Sequence, residues 1–130
     1  LVIVNFKQPD YAGHANNWID YINGIKNVDR YIGDFWNFLQ NDTEYAGNTT
    51  LFITNDHGRH LEGTYDGFVN HGCGCDGCRH IFLLGIGPDF KTNYIETNHY
   101  SLVDIPATVS KLMGINMPTG QGKVMTTILR

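Results

Sequence analysis

Charge is scarce in this chain, and basic charge is dispersed. Asp, Glu, Lys and Arg make up only 17% of the 130 residues, and the nine Lys and Arg form no cluster. With a formal net charge of −4, the chain lacks the basic stripe that marks a nucleic-acid-binding surface. No apolar run approaches the roughly 20 residues needed to cross a bilayer, so no membrane segment is expected. No secretory leader is visible. Residue 1 is a Leu inside an apolar run rather than a Met, and the chain therefore reads as part of a longer protein. Cysteine is limited to Cys73, Cys75 and Cys78. An odd number in one short loop does not define a disulfide framework, and the compartment stays open on that evidence. What remains, with 42% hydrophobic residues, is the composition of one folded globular domain with a core.

The pattern along the chain is α/β. Leu1 to Phe6 is a continuous apolar run, consistent with a strand buried on both faces. A turn from Pro9 to His14 follows. Ile19, Ile22, Ile25, Tyr31, Ile32, Phe35, Phe38 and Leu39 then recur mostly three and four apart, which predicts a helix over about 16–40 with these residues inward. Thr49 to Thr54 reads as a second strand. Strand, helix, strand is a βαβ unit, so parallel pairing is expected. Gly58 to Arg79 has six glycines and no periodicity, which predicts a long functional loop. Ile81 to Ile86 reads as a third strand. A last helix should open at Asp104 as N-cap with Pro106 in its first turn, bury Ile105, Val109, Leu112 and Met113, and stop at Gly114.

Two acidic-histidine pairs follow predicted strands. Asp10 and His14 are four apart, so on a helix they share one face with Cβ atoms about 5–6 Å apart. Asp56 and His57 are adjacent, and Gly58 permits the irregular backbone that lets adjacent side chains converge. His71 is the best further imidazole. Asp and His bind zinc and similar divalent ions without thiolates. Either pair alone is more often a turn former or a hydrogen-bonded histidine; both together point to a metal site at strand ends, where open α/β folds place ligands. His60, His80 and His99 read as surface or hydrogen-bonding histidines. Arg59 and Arg79 are candidates for an anionic oxygen, though such residues are more often solvated or paired. The stretch from His71 through Cys73, Cys75 and Cys78 to His80 admits a separate soft-metal site, a disulfide with one free thiol, or a glycine-rich loop with buried thiols.

These residues resemble the alkaline phosphatase superfamily of metal-dependent phosphatases, phosphodiesterases, phosphomutases and sulfatases. Asp10-x3-His14 is similar to its Asp-x3-His ligand pair, and Thr54-Asn55-Asp56-His57-Gly58 to its Asp-His-Gly segment. Arg79 to Pro88, followed by Asp104-Ile105-Pro106-Ala107-Thr108 and Leu112 to Ile115, is similar to its C-terminal strand, helix and tail. The resemblance implies a partial three-layer sandwich, a mostly parallel sheet flanked by helices. Residues 1–130 would be the C-terminal portion of one catalytic domain whose upstream half is absent. It implies two divalent metals, zinc foremost with manganese or calcium as alternatives. Asp10, His14 and His71 would hold one, Asp56 and His57 the other. A Ser or Thr nucleophile would come from upstream of residue 1; Ser101 and Ser110 sit in the wrong context. The chain alone should then be inactive.

The implied activity is hydrolysis of a small-molecule phosphate ester, monoester or diester, in an extracytoplasmic setting. A sulfatase acting on sulfate esters is the nearest rival, though it uses one calcium, and the histidine-rich set here favours nitrogen-bound transition metals over a hard ion. A phosphomutase is a third reading. Outside catalysis, the chain could be a metal or thiol module centred on Cys73 to His80, or a degenerate member serving as a binding domain.

Overall fold

The computed structural model describes residues 1–130. The chain falls into two compact units, Leu1–Ala46 with Thr54–Leu83, and Gly47–Ile53 with Leu84–Arg130. The elements in order are α1 (Asp10–His14), α2 (Trp18–Gln40), β1 (Leu51–Thr54), a 3₁₀ turn (Gly67–Val69), α3 (Asp76–Arg79), β2 (Leu83–Ile86), α4 (Asp104–Leu112) and a second 3₁₀ turn (Thr126–Ile128). No helix is long and apolar enough to cross a membrane.

In the first unit, α2 starts where its capping residue allows. The Asn17 side chain accepts from the Asp20 backbone N–H at 3.0 Å and donates to the Asp20 carboxylate at 2.7 Å, a reciprocal cap. Its inward stripe is Tyr21, Gly24, Val28, Ile32, Trp36 and Leu39. That departs in part from the expected face: Ile22, Ile32 and Leu39 are covered, but Ile19, Ile25, Tyr31, Phe35 and Phe38 are exposed. The close approach of Gly24 to Pro9 fixes the rotation: a Cβ on Gly24 would lie 3.1 Å from Pro9 Cα. Tyr21, three before it, and Val28, four after it, then turn inward with it.

The glycine-rich segment is ordered by contacts rather than by a core. The Phe68 ring meets Trp18 edge-on at 5.0 Å and Tyr21 at 5.7 Å, anchoring the first 3₁₀ turn to α2. Arg59, with a side chain only 7% exposed, is tied into the interior. Its guanidinium donates to the Phe68 and Val69 carbonyls at 2.8 and 2.9 Å, to the Asp10 carbonyl at 2.7 Å, and to the Asp10 carboxylate. It lies where a Cβ on Gly13 would be, which explains the glycine. Arg59 is thus a clamp joining α1 to the 3₁₀ turn.

Two expectations about the sheet are corrected. The expected mostly parallel sheet is absent; the sheet has two strands, β1 beside β2. Thr54 at the end of β1 donates to the carbonyl of Phe82 just before β2, and Thr50 just before β1 donates to Asp89 beyond β2, so the strands run antiparallel. Leu1 to Phe6 is not a strand. Leu1 and Ile3 are 81% and 86% exposed. A strand is held by a neighbour's backbone groups, and the sole partner of β1 is β2; the parallel inference rested on a pairing that does not form.

In the second unit, Phe52 and Phe90 meet edge-on at 4.9 Å, with Phe90 and Met125 buried. α4 turns a polar stripe inward. Asp104 and Thr108 are buried, whereas Leu112 and Met113 are exposed, contrary to expectation. Asp104 is the first helical residue rather than the N-cap. Its carboxylate accepts from the backbone N–H groups of Ser101 and Lys123, both at 2.7 Å, and from the Ser101 hydroxyl. Thr108 in turn accepts from the Met125 N–H at 3.0 Å. The α4 register therefore follows satisfaction of these buried polar groups.

Gly13→Ala and Arg59→Ala should each destabilise the protein by roughly 1–3 kcal/mol, and the double variant by clearly less than their sum, because both act on one clamp. Urea unfolding of the four proteins checks this; additive losses would contradict it. The Ser101 and Lys123 N–H bonds hold the Asp104 carboxyl below its usual range. A depressed folded pKa gives stability that is present above the ordinary value of about 3.9 and lost as pH falls through the lower folded value. Asp104→Ala should therefore lower stability by about 1–3 kcal/mol at neutral pH and by progressively less in acid, measured by urea unfolding across that range.

Candidate metal centre

The candidate ligands lie in the first unit, on three kinds of support. α1 carries Asp10 and His14 on one face, one turn apart, with His14 Nε2 at 3.6 Å from Asp10 Oδ2. His57 follows β1, and its Nδ1 lies 2.9 Å from the Gly58 carbonyl, an arrangement in which Nδ1–H donates and Nε2 is left as the free lone pair. His71 extends from the 3₁₀ turn that Phe68 anchors.

These groups converge. Asp10, His57 and His71 offer ligand atoms all within 4.8 Å of one another. His71 Nε2 is 3.6 Å and His57 Nε2 4.0 Å from Asp10 Oδ1. The His57 and His71 rings stack at 3.6 Å between centroids. His14 Nε2 is 3.1 Å from His71 Nε2. Burial, followed by the neighbouring His57, holds the His71 imidazole below its ordinary pKa, against the opposing pull of Asp10. The neutral ring it favours is the form that ligates metals. Asp56 stands at the rim: its side chain is 85% exposed, and its carboxylate accepts from the His57 backbone N–H at 3.1 Å and lies 3.6 Å from His57 Nε2. His57 lies between Asp56 and the Asp10–His71 group, so the two expected ligand sets adjoin.

The ring orientation of His14 is set by residues that sequence reasoning passed over. An ionised carboxylate only accepts, so the Asn70 amide must turn its NH₂ to Asp66. Asn70 Oδ1 is then the acceptor facing His14 Nδ1, at 3.0 Å. His14 Nδ1 carries the proton and Nε2 is bare, aimed at Asp10 and His71. Ligating histidines typically have such a partner on the other ring nitrogen. The donor set, one carboxylate with several bare Nε2 atoms and no proton assigned between them, fits a divalent cation of the zinc or manganese type.

The three cysteines gather elsewhere. Cys73, Cys75 and Cys78 have His60 as the fourth member of their group, all ligand atoms within 4.8 Å. His71, expected to flank them, belongs to the first cluster, and His80 to neither. The Asp-His-Gly segment packs directly on this loop: Gly58 N–H donates to the Cys78 carbonyl at 2.9 Å. A Cβ on Gly58 would strike the Gly77 carbonyl, and one on Gly77 the Arg59 carbonyl.

The convergence of Asp10 with several imidazoles agrees with what the chain is similar to. It is 30% identical over 119 residues to a 2,3-bisphosphoglycerate-independent phosphoglycerate mutase of Gracilaria tenuistipitata, covering 91% of this chain and 22% of that protein. The Helicobacter pylori protein of the same name is 32% identical over 121 residues, with 91% of this chain and 22% of the relative covered. The Antithamnion protein is 29% identical over 128 residues, 98% of this chain and 24% of the relative. The chain thus spans about a fifth to a quarter of the length of these curated relatives. No solved structure matches it significantly. The family model described as the metalloenzyme superfamily matches residues 1–117, and on that match the chain belongs to the metalloenzyme superfamily, the alkaline phosphatase-like enzymes.

Proposed function

We propose that this chain forms the metal-binding part of a phosphoryl-transfer site that acts on a small-molecule phosphate ester. The observation that carries the reading is the convergence of Asp10 and the Nε2 atoms of His14, His57 and His71. Asp10, His14 and His71 hold one divalent ion, and His57 with Asp56 holds the second; zinc or manganese suits these donors. Bound metal supplies Lewis-acid charge to the phosphoryl oxygens. The chain's own residues supply rigidity: Asn70 and the Gly58 carbonyl fix two imidazoles, and Arg59 holds Asp10. A Ser or Thr from sequence upstream of Leu1 is the nucleophile that takes the phosphoryl group. In the complete domain the exposed run Leu1 to Val4 joins a larger sheet and finishes a three-layer sandwich.

Water as the final acceptor makes the enzyme a hydrolase, the reading favoured from sequence. A second reading is favoured by the relatives, all named as phosphoglycerate mutases: the acceptor is a second hydroxyl of the bound substrate, and no phosphate leaves.

In the full-length protein, His14→Ala and Asp56→Ala should each cut kcat/KM on p-nitrophenyl phosphate or 3-phosphoglycerate by roughly a thousandfold, the several kcal/mol that metal charge supplies to a transition state. Circular dichroism should be unchanged. Full activity in both variants would defeat the site assignment. Release of inorganic phosphate identifies the hydrolase; conversion of 3-phosphoglycerate to its isomer without release identifies the mutase. Turnover of sulfate esters alone would defeat both.

A further inference from the structure

The glycine-rich segment holds a second constellation that the phosphoryl-transfer site does not use. Cys73, Cys75, Cys78 and His60 come from a stretch with little regular structure, yet their ligand atoms lie within 4.8 Å of one another. The thiols are not joined in a disulfide. Cys73 Sγ and Cys78 Sγ are 3.6 Å apart, close to the edge of about 3.8 Å that follows for a tetrahedron with Zn–S near 2.3 Å.

The fourth corner is the decisive observation. The His60 side chain is only 8% exposed. Its Nδ1 lies 2.7 Å from the Asp66 carboxylate, so Nδ1 carries the proton. Its Nε2 is buried with no hydrogen-bond partner. A buried bare nitrogen normally costs about 1–3 kcal/mol, and here it belongs to a ring gathered with three sulfurs. Carboxylate to imidazole Nδ1–H, with Nε2 to metal, is the usual arrangement around a ligating histidine.

Two of the sulfurs receive backbone donors. The Cys75 N–H donates to Cys73 Sγ at 3.3 Å, and the Cys78 N–H to Cys75 Sγ at 3.5 Å, with Cys75 as the N-cap of α3. Hydrogen bonds from the Cys73 thiol and the Cys78 N–H favour the thiolate at Cys75, lowered to about 7, whereas the same contact pushes the Cys73 thiol up to about 11, so metal binding there releases a proton.

We propose that His60, Cys73, Cys75 and Cys78 bind one zinc ion in a closed tetrahedral site, structural in role and separate from the phosphoryl-transfer centre. Four protein ligands leave no open position for substrate, the mark of a structural site. The site staples the segment that presents the first cluster. Gly58, next to His57, is bonded to the Cys78 carbonyl. Asp66, which orients His60, also accepts from Asn70, which faces His14 and precedes His71.

The test uses full-length protein purified without chelator, and zinc-edge X-ray absorption on the Asp10→Ala, His57→Ala double variant. The expected result is a retained zinc with three sulfur and one nitrogen neighbour, at about 2.3 and 2.0–2.1 Å. Cobalt(II) added to reduced, metal-free wild-type protein should give thiolate charge-transfer absorption, a readout that needs no variant to fold. Asp66→Ala should weaken that cobalt binding by about 10–100-fold, and Cys78→Ser or His60→Ala by more. A zinc shell without sulfur, cobalt binding without the charge-transfer band, or a disulfide among these cysteines in the protein as isolated would each overturn the proposal.

Discussion

An ionised carboxylate can only accept hydrogen bonds, and that constraint at Asp66 reaches both clusters of ligand-type side chains. The Asn70 amide bond, then His60, hold the Asp66 carboxyl below its usual range. One oxygen accepts a hydrogen bond from His60 Nδ1–H, which leaves Nε2 bare toward the three cysteines. The other takes the Asn70 NH₂, which turns the Asn70 carbonyl to His14 and bares Nε2 of that ring toward Asp10. A single acidic side chain in a 22-residue stretch without long elements thereby specifies the tautomers of two histidines in two separate clusters. Such relays account for how a segment with so few apolar side chains presents chemistry in fixed orientation.

Steric constraint supplies what hydrogen bonding does not. The Asp-His-Gly segment rests on the cysteine loop through Gly58 and Gly77, at separations that exclude any side chain at either position. Arg59 fills the space that Gly13 leaves and fastens Asp10 by both its carbonyl and its carboxylate. Leu39, Ala12 and Cys78 are the buried apolar residues of this unit. With so small an interior, the position of the ligands depends on glycine contacts, one buried guanidinium and the Asp66 relay.

Local pattern made much of this readable in advance. The 3.6-residue period locates α2 to within about two residues of its expected limits. The apolar runs locate β1 and β2, and the Asp10–His14 spacing anticipates a shared helical face. The failures are non-local. Leu1 to Phe6 has a strand's composition, but pairing depends on a neighbour, and composition names none. The inward face of α2 is set by Gly24 against Pro9, a contact between elements. The buried stripe of α4 is polar, because Asp104 and Thr108 satisfy backbone groups from Ser101, Lys123 and Met125. His60 reads as an ordinary polar histidine until Asp66 is seen on one nitrogen and three sulfurs around the other. The Asp-His pairs were legible because each is short and stands beside a predicted element; Asp66 and Asn70 carry no such signal, only their spacing of four before His71.

The central claim is that Asp10 and the Nε2 atoms of His14, His57 and His71 form a metal centre in which the His14 and His57 tautomers are set from behind. Anomalous diffraction from crystals of the full-length protein soaked in manganese or zinc, recorded on both sides of the absorption edge, tests it most directly. The account predicts density for one ion within coordination distance of the Asp10 carboxylate and of Nε2 of His14 and His71, and for a second at Nε2 of His57 beside Asp56. Ions bound through Nδ1, or crystals in which these side chains stay in place and no ion enters among them, would contradict it.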